Sequence, residues 1–162
     1  MTLSIEVGMN ILLICRSNVS RSYLAERLLR NELKRRQMAP FSVSSAGLLA
    51  HSGSPPDHRM VVFLKSLGII GDAHQSKQLE RKDADWADLI LVMEKEQAFM
   101  IERMWPEVKK KIALLGGFIS KEEPPDDIRD PAGKSPYHYR LVQSQITLAV
   151  QGFVDSLSKD CV

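Results

Sequence analysis

The sequence predicts an α/β fold, a single domain on an open parallel four-stranded sheet with helices on both faces. Three observations predict it. Apolar runs too short for helices alternate along the chain with longer amphipathic stretches, the pattern of a covered parallel sheet. The length, 162 residues, suits one domain with a sizeable core. The first apolar run ends in a small polar loop that opens directly into a helical pattern.

The elements follow in order. The first strand is expected over about Asn10 to Ile14, and residues 1–8 read as an N-terminal extension ahead of it. A helix from about Ser22 to Gln37 carries Leu24, Leu28 and Leu29 on one face. The second strand lies near Phe41 to Ser45. Pro55-Pro56-Asp57 opens a helix that reaches Leu67, and Gly68 stops it. Leu89 to Val92 is the third strand, followed by a helix over about Lys95 to Met104. The fourth strand falls near Ile112 to Leu115. A polar, proline-containing loop follows at Lys121 to Asp127. Ser135-Pro136 is a good N-cap and first-turn pair for a last helix. Its apolar face is Val142, Ile146, Val150, Phe153 and Leu157.

Composition narrows the function. A net charge of +2, with no basic stripe carrying interleaved aromatics, argues against nucleic acid as a partner. The cluster Lys34-Arg35-Arg36 reads as the favourable charged end of the first helix. No stretch is long enough to span a membrane, and the N-terminus lacks the cationic and apolar regions of a signal peptide. Cys15 and Cys161 lie at opposite ends, so neither a disulfide framework nor a zinc site is expected. A reduced, cytoplasmic compartment fits. Neither a lysine-containing glycine-rich loop nor a Gly-x-Gly-x-x-Gly turn is present, and no metal or cofactor is expected.

The segment that carries chemistry is Cys15-Arg16-Ser17-Asn18-Val19-Ser20-Arg21-Ser22. It joins the first strand to the first helix. Unpaired N–H groups at a helix start carry partial positive charge and attract anions. They also favour a thiolate over a thiol. Arg21 adds a planar fork that suits a phosphate bidentately. Read alone, Cys15 is either a buried core thiol at a strand end or a nucleophile in an oxyanion cradle. The strand before it and the helix after it favour the second reading. Asp130, in Asp130-Pro131-Ala132-Gly133, is either a turn residue or a general acid. Beside the cysteine loop the acid reading is favoured, with Asp127 and then Asp126 in reserve. Cys15, Gly47 and the Asp130 loop all follow strand ends, where ligands of open α/β sheets bind.

With these residues in hand, the chain resembles the low-molecular-weight protein tyrosine phosphatases. That family carries a loop of the form Cys-x-Gly-Asn-x-Cys-Arg-Ser-Pro. Cys15, Asn18, Arg21 and Ser22 match it, and Ala25-Glu26-Arg27-Leu28-Leu29 continues the match. Val43 to Leu48, His74 to Leu79, Asp88 to Lys95 and Ile128-Arg129-Asp130-Pro131 extend the likeness over nearly the whole chain. The details are most similar to bacterial members that act with capsule or exopolysaccharide tyrosine autokinases.

The resemblance implies hydrolysis of protein phosphotyrosine through a cysteinyl-phosphate, with Cys15, Arg21 and Asp130 catalytic. It makes Arg16 to Ser20 with Ser22 the phosphate-binding loop. Asn18, Ser45 and His74 become its hydrogen-bonded support. Leu48, Leu49 and Tyr137 are candidate walls of the substrate pocket. The implied partners are a phosphotyrosine protein and a bacterial tyrosine autokinase, for a monomer or weak dimer. Val19 stands where arginine-phosphatase members tend to carry a hydroxyl residue, which favours tyrosine. Three departures stand out: Ser17 for the family's glycine, Ser20 for its second loop cysteine, and Tyr23 for its proline. Arg16 also replaces a usually apolar or small residue. Two other readings compete. One is a thioredoxin-coupled arsenate reductase, which needs a relay of further cysteines. The other is a phosphate-binding module without turnover.

Overall fold

The computed structural model describes residues 8–38, 40–70, 73–120 and 125–159. Most of the expected extension, part of the loop at 121–124, and Cys161 lie outside the described residues. Strands β1 (Met9–Cys15), β2 (Phe41–Gly47), β3 (Leu89–Val92) and β4 (Ile112–Leu114) form one parallel sheet in the order β2-β1-β3-β4. The helices are α1 (Arg21–Arg35), α2 (His58–Ser66), α3 (Arg81–Trp86), α4 (Lys95–Met104) and α5 (Pro136–Lys159). Short 3₁₀ segments at Pro106–Lys111 and Leu115–Phe118 flank β4.

The period-two alternation of β1 builds a core on each face of the sheet. Ile11 and Leu13 pack with Leu24, Leu28, Val142 and Phe153 on the side of α1 and α5. Leu12 and Ile14 pack with Ile90, Val92, Ile101 and Val108 on the other. Because β1 is buried on both sides, its sequence is a continuous apolar run.

The expected strands and the four longer helices are all present. Helix α1 starts at Arg21 and stops at Arg35, two residues before the expected end. There Gln37 takes a left-handed φ of 54°, while Met38 N–H bonds to Leu33 and Gln37 N–H to Lys34. The same pair of bonds closes α2 at Gly68, φ 74°, where glycine adopts that conformation without a Cβ clash. Helix α3 was not expected. It is six residues long, buries only Asp83 and Ala84, and is held by a reciprocal cap between Glu80 and Asp83. Among the described residues, no helix is long and apolar enough to cross a membrane.

The strand order places β1 and β3 side by side, with the chain turning outward from them in opposite directions. A crevice opens at the carboxyl ends of such a pair. The loops after β1 and β3 therefore meet.

Candidate functional site

The loop from Cys15 to Ser20 turns sharply off β1. Asn18 carries the sharpest conformation, a φ of 58°, and asparagine tolerates the left-handed region better than most residues. Ser17 has no positive φ, so serine at the family's glycine position brings no left-handed strain. Gly47, at the end of β2, backs the loop. A Cβ there would lie 2.8 Å from the Arg16 carbonyl and 2.9 Å from the Asn18 nitrogen. Leu48 and Leu49 N–H groups bond to the carbonyls of Cys15 and Arg16 and fix the loop's first half.

A directional hydrogen-bond chain runs through this loop to Cys15, whose thiol is almost fully buried. The buried Glu26 carboxylate accepts from the Ser45 hydroxyl. Ser45 Oγ accepts from Asn18 Nδ2 at 2.9 Å, and Ser22 Oγ accepts from the same amide at 2.9 Å. Ser22 Oγ also lies 3.0 Å from Cys15 Sγ, and when the sulfur is a thiolate the hydroxyl is the donor of that bond. The Asn18 N–H reaches the same sulfur at 3.3 Å. Lys77 N–H holds Asn18 Oδ1 at 3.0 Å, and His74 Nε2 meets the Asn18 carbonyl at 2.6 Å. In the Nε2–H tautomer His74 is the donor of that bond. The Ser22 hydroxyl and the Asn18 N–H thus meet at one sulfur.

The sequence places the start of this helix at about Ser22, and here the structure differs. The helix starts one residue earlier, Ser20 occupies the cap position, and its side chain makes no capping bond. Ser20 Oγ is buried with no hydrogen-bond partner. Tyr23, at the family's proline position, is buried. Its ring lies 4.7 Å from that of His74, centroid to centroid, and under the Arg27 guanidinium. Burial pushes its phenol up from the ordinary value, against the opposing pull of Arg27.

Arg21 is the first residue of α1 and is buried. Its Nη1 donates to the Glu94 carboxylate and, at 2.8 Å, to the Ile128 carbonyl. Nη2 lies 3.4 Å from Asp130 Oδ2. Glu94 was not among the expected site residues. It follows the end of β3 and caps α4, with Gln97 returning a bond to its N–H. The signal for it was the acidic first polar residue after a strand that the topology places beside β1.

The Asp130 loop is tied down by Ile128 N–H bonding to Met93 at 2.9 Å. Asp130 is a turn residue, and its second carboxylate oxygen is left facing the site. Oδ1 accepts from Ala132 N–H at 3.0 Å within the turn, while Oδ2 faces Arg21. Asp127 instead accepts from Lys95 N–H at 2.9 Å, at the start of α4.

A hollow of about 200 Å³ opens beside Arg21. Leu48, Leu49 and Met100 give it apolar wall, and Arg16, Glu96 and Asp130 charged wall. Met100 and Glu96 were not expected there. Tyr137 lies outside it, exposed, with its ring edge-on to His138. Val19 does not line it either; its carbonyl accepts from Asp57 N–H at 2.7 Å.

Residues 10–162 match the family described as low molecular weight phosphotyrosine protein phosphatase. The chain belongs to that family. It is 34% identical to the probable low molecular weight protein-tyrosine-phosphatase AmsI of Erwinia amylovora, over 93% of this chain and 98% of the relative. It is 33% identical to a protein-arginine-phosphatase of Geobacillus stearothermophilus, over 93% and 97%. The solved YwlE arginine phosphatase from G. stearothermophilus superposes with a TM-score of 0.84 at 32% identity, covering 94% of each chain. Family membership bears out the expected resemblance and the four-stranded parallel sheet.

Proposed function

We propose that this phosphatase family member hydrolyses protein phosphotyrosine through a cysteinyl-phosphate, with Cys15 as nucleophile, Arg21 as phosphate ligand and Asp130 as general acid and base. The observation that carries the reading is the chain of bonds from Glu26 through Ser45, Asn18 and Ser22, which ends with the Ser22 hydroxyl 3.0 Å from Cys15 Sγ, placed to donate to a thiolate. In the first step the Cys15 thiolate attacks phosphorus and an S–P bond forms. The P–O bond to tyrosine breaks, and the Asp130 carboxyl gives its proton to the leaving phenolate. In the second step the Asp130 carboxylate takes a proton from water, whose oxygen attacks phosphorus. The S–P bond breaks, inorganic phosphate leaves, and the thiolate returns to the Ser22 hydroxyl.

Arg21 suits the cradle because Nη1 spends both its hydrogens on Glu94 and Ile128. The edge formed by Nε–H and Nη2–H remains for two phosphate oxygens. The apolar wall of Leu48, Leu49 and Met100 fits an aryl group. The partner is a phosphotyrosine protein, in keeping with the names of several relatives; a tyrosine autokinase is its most specific form, as the sequence resemblance implies.

A second substrate reading, phosphoarginine, draws on two observations. The hollow carries the carboxylates of Glu94, Glu96 and Asp130 and no aromatic side chain. The Geobacillus relative at 33% identity is named a protein-arginine-phosphatase. The apolar wall of Leu48, Leu49 and Met100 weighs toward tyrosine. Initial rates on phosphotyrosine, phosphoarginine and phosphoserine peptides separate the two, with the phosphotyrosine peptide expected to be fastest. Cys15→Ser is expected to abolish turnover while still binding phosphate. Turnover surviving in that variant, or a phosphoarginine peptide as the best substrate, overturns the corresponding part of the reading. Thiol-dependent reduction of arsenate would favour the reductase alternative.

A further inference from the structure

We infer that a second hollow, on the far side of Asp130, binds an anionic side chain of the substrate polypeptide near its phosphorylated residue. The hollow has a volume of about 480 Å³, and Asp130 lines both it and the hollow beside Arg21. Pro131, Leu141 and Val142 give it an apolar part of its lining. Three cations stand around it: Lys95 at the start of α4, Arg129 in the acid loop, and Lys134 in the turn before α5.

None of the three side chains makes a hydrogen bond or ion pair with any described residue. Arg30, Arg35, Arg36, Lys77, Arg81, Lys82 and Lys109 are paired with carboxylates, whereas these three cations gather around one hollow and keep their donors free for a ligand. The hollow also contains acidic groups. Asp127 is committed to Lys95 N–H, and Asp130 faces Arg21. Asp126 is exposed, and His138 is bonded to Ser135. The formal charges nearly balance, so recognition here is by direct contact with the free cations and not by a long-range field. Cations beside an apolar stretch of lining suit a glutamate with its methylenes, or a second phosphotyrosine with its ring.

An extended chain advances about 3.3–3.6 Å per residue, so an anionic side chain about two to four residues from the reacting one can reach the adjoining hollow. The inference rests on the phosphotyrosine reading of the catalytic hollow, and it names the kind of sequence that this site selects.

The test compares phosphotyrosine peptides that have neutral flanks, glutamates, or a second phosphotyrosine at those spacings. Each is measured by kcat/KM on the wild type, on Arg129→Ala and on Lys134→Glu, at low and at physiological salt. p-Nitrophenyl phosphate, which has no flanking residues, is the control. Wild type is expected to prefer the anionic peptides by about tenfold, the sum of two or three exposed ion pairs. Lys134→Glu is expected to remove most of the preference and to leave the control rate near that of wild type. A glutamate peptide favoured as strongly as the doubly phosphorylated one identifies a carboxylate ligand. A preference confined to the second phosphate identifies a phosphoryl ligand. Equal rates on neutral and anionic peptides, or a preference that survives both substitutions, overturns the inference. If the control and every peptide are inert, the phosphatase reading has failed separately. Peptide affinity for the Cys15→Ser variant, measured by fluorescence anisotropy, then decides the subsite on the same expected ratio.

Discussion

Replacing Glu94 by glutamine tests how Arg21 is presented to phosphate. The Arg21 side chain is 2% exposed and that of Glu94 is 26% exposed. Glutamine keeps an oxygen acceptor at that place and removes the charge. Losing the charge component of one hydrogen bond to a buried cation costs about 1.5–3 kcal/mol. Breaking a fully buried pair costs more, about 3–5 kcal/mol. The partial exposure of Glu94 and the nearby Asp130 carboxylate at 3.4 Å place this variant in the lower range. For a chain of this size, a loss of 1.5–3 kcal/mol lowers Tm by about 3–12 °C.

The functional effect follows from the same bonds. Glu94 and Ile128 hold Nη1, so the Nε and Nη2 edge points where an oxyanion can take both hydrogens. With the charge gone, Arg21 swings toward Asp130, the remaining carboxylate. Competitive inhibition by inorganic phosphate should weaken about tenfold, and kcat/KM for an aryl phosphate should fall about 10–100-fold, equivalent to about 1.4–2.8 kcal/mol of transition-state stabilisation. Scanning calorimetry and steady-state inhibition read the two effects. If phosphate binds the variant more tightly than wild type, Glu94 competes for Arg21 and does not position it, and the reasoning is wrong.

Three further outcomes are expected. Asp130→Asn should slow aryl phosphates with poor leaving groups by about 10²–10⁴-fold, and activated ones less; a larger loss in Asp127→Asn would move the acid to a residue that the structure ties to Lys95. Tyr139 is pushed up to about 12, first by burial and then by its 2.8 Å bond to Asp57, from an ordinary 10.0. Its protonated form is therefore favoured by folding, so its contribution is whole below pH 10 and is lost as pH rises through about 12. Alkaline denaturation midpoints of wild type and Tyr139→Phe should differ in that window, and identical pH slopes would refute the coupling. Ser20 stands where the family's second loop cysteine lies, and its buried hydroxyl has no partner. Peroxide should inactivate the enzyme with poor recovery in thiol, because the Cys15 sulfenic acid has no sulfur beside it in the loop; Ser20→Cys should restore recovery, and full reactivation of wild type would point instead to Cys161.

The parts of this molecule that were legible in sequence are those fixed by local pattern. Bounded apolar runs gave the four strands, and Asp57, Gly68 and the Ser135-Pro136 pair marked helix ends by their own chemistry. Cys15, Arg21 and Asn18 were legible because one short loop contains them. Residues that depend on the order of strands were not. Glu94 lies 73 positions from Arg21 and reads locally as a helix cap. Only the β1–β3 pairing reveals its second bond. The two tyrosines at the start of α5 make the same point. Residues two apart on a helix point about 200° apart, so only one of them can face inward. The inward one is Tyr139, bonded to Asp57, and Tyr137 is left exposed and away from the hollow.

The departures from the family's loop pattern follow the same division. At the position of Ser17, glycine would serve a conformation that serine resists. The left-handed position is Asn18, and Ser17 needs no such freedom. Tyr23 replaces a proline in the first turn of a helix, where the backbone N–H has no partner within the helix. A proline there restricts the chain; tyrosine lacks that restriction and brings a ring. That ring packs on His74, and His74 holds the Asn18 carbonyl. The rigidity that proline supplies from within the loop is supplied here from the side, by an aromatic contact one residue beyond Ser22. Tyr23→Pro would therefore exchange one restraint for another, whereas Tyr23→Ala would lose the packing on His74 without gaining the restraint.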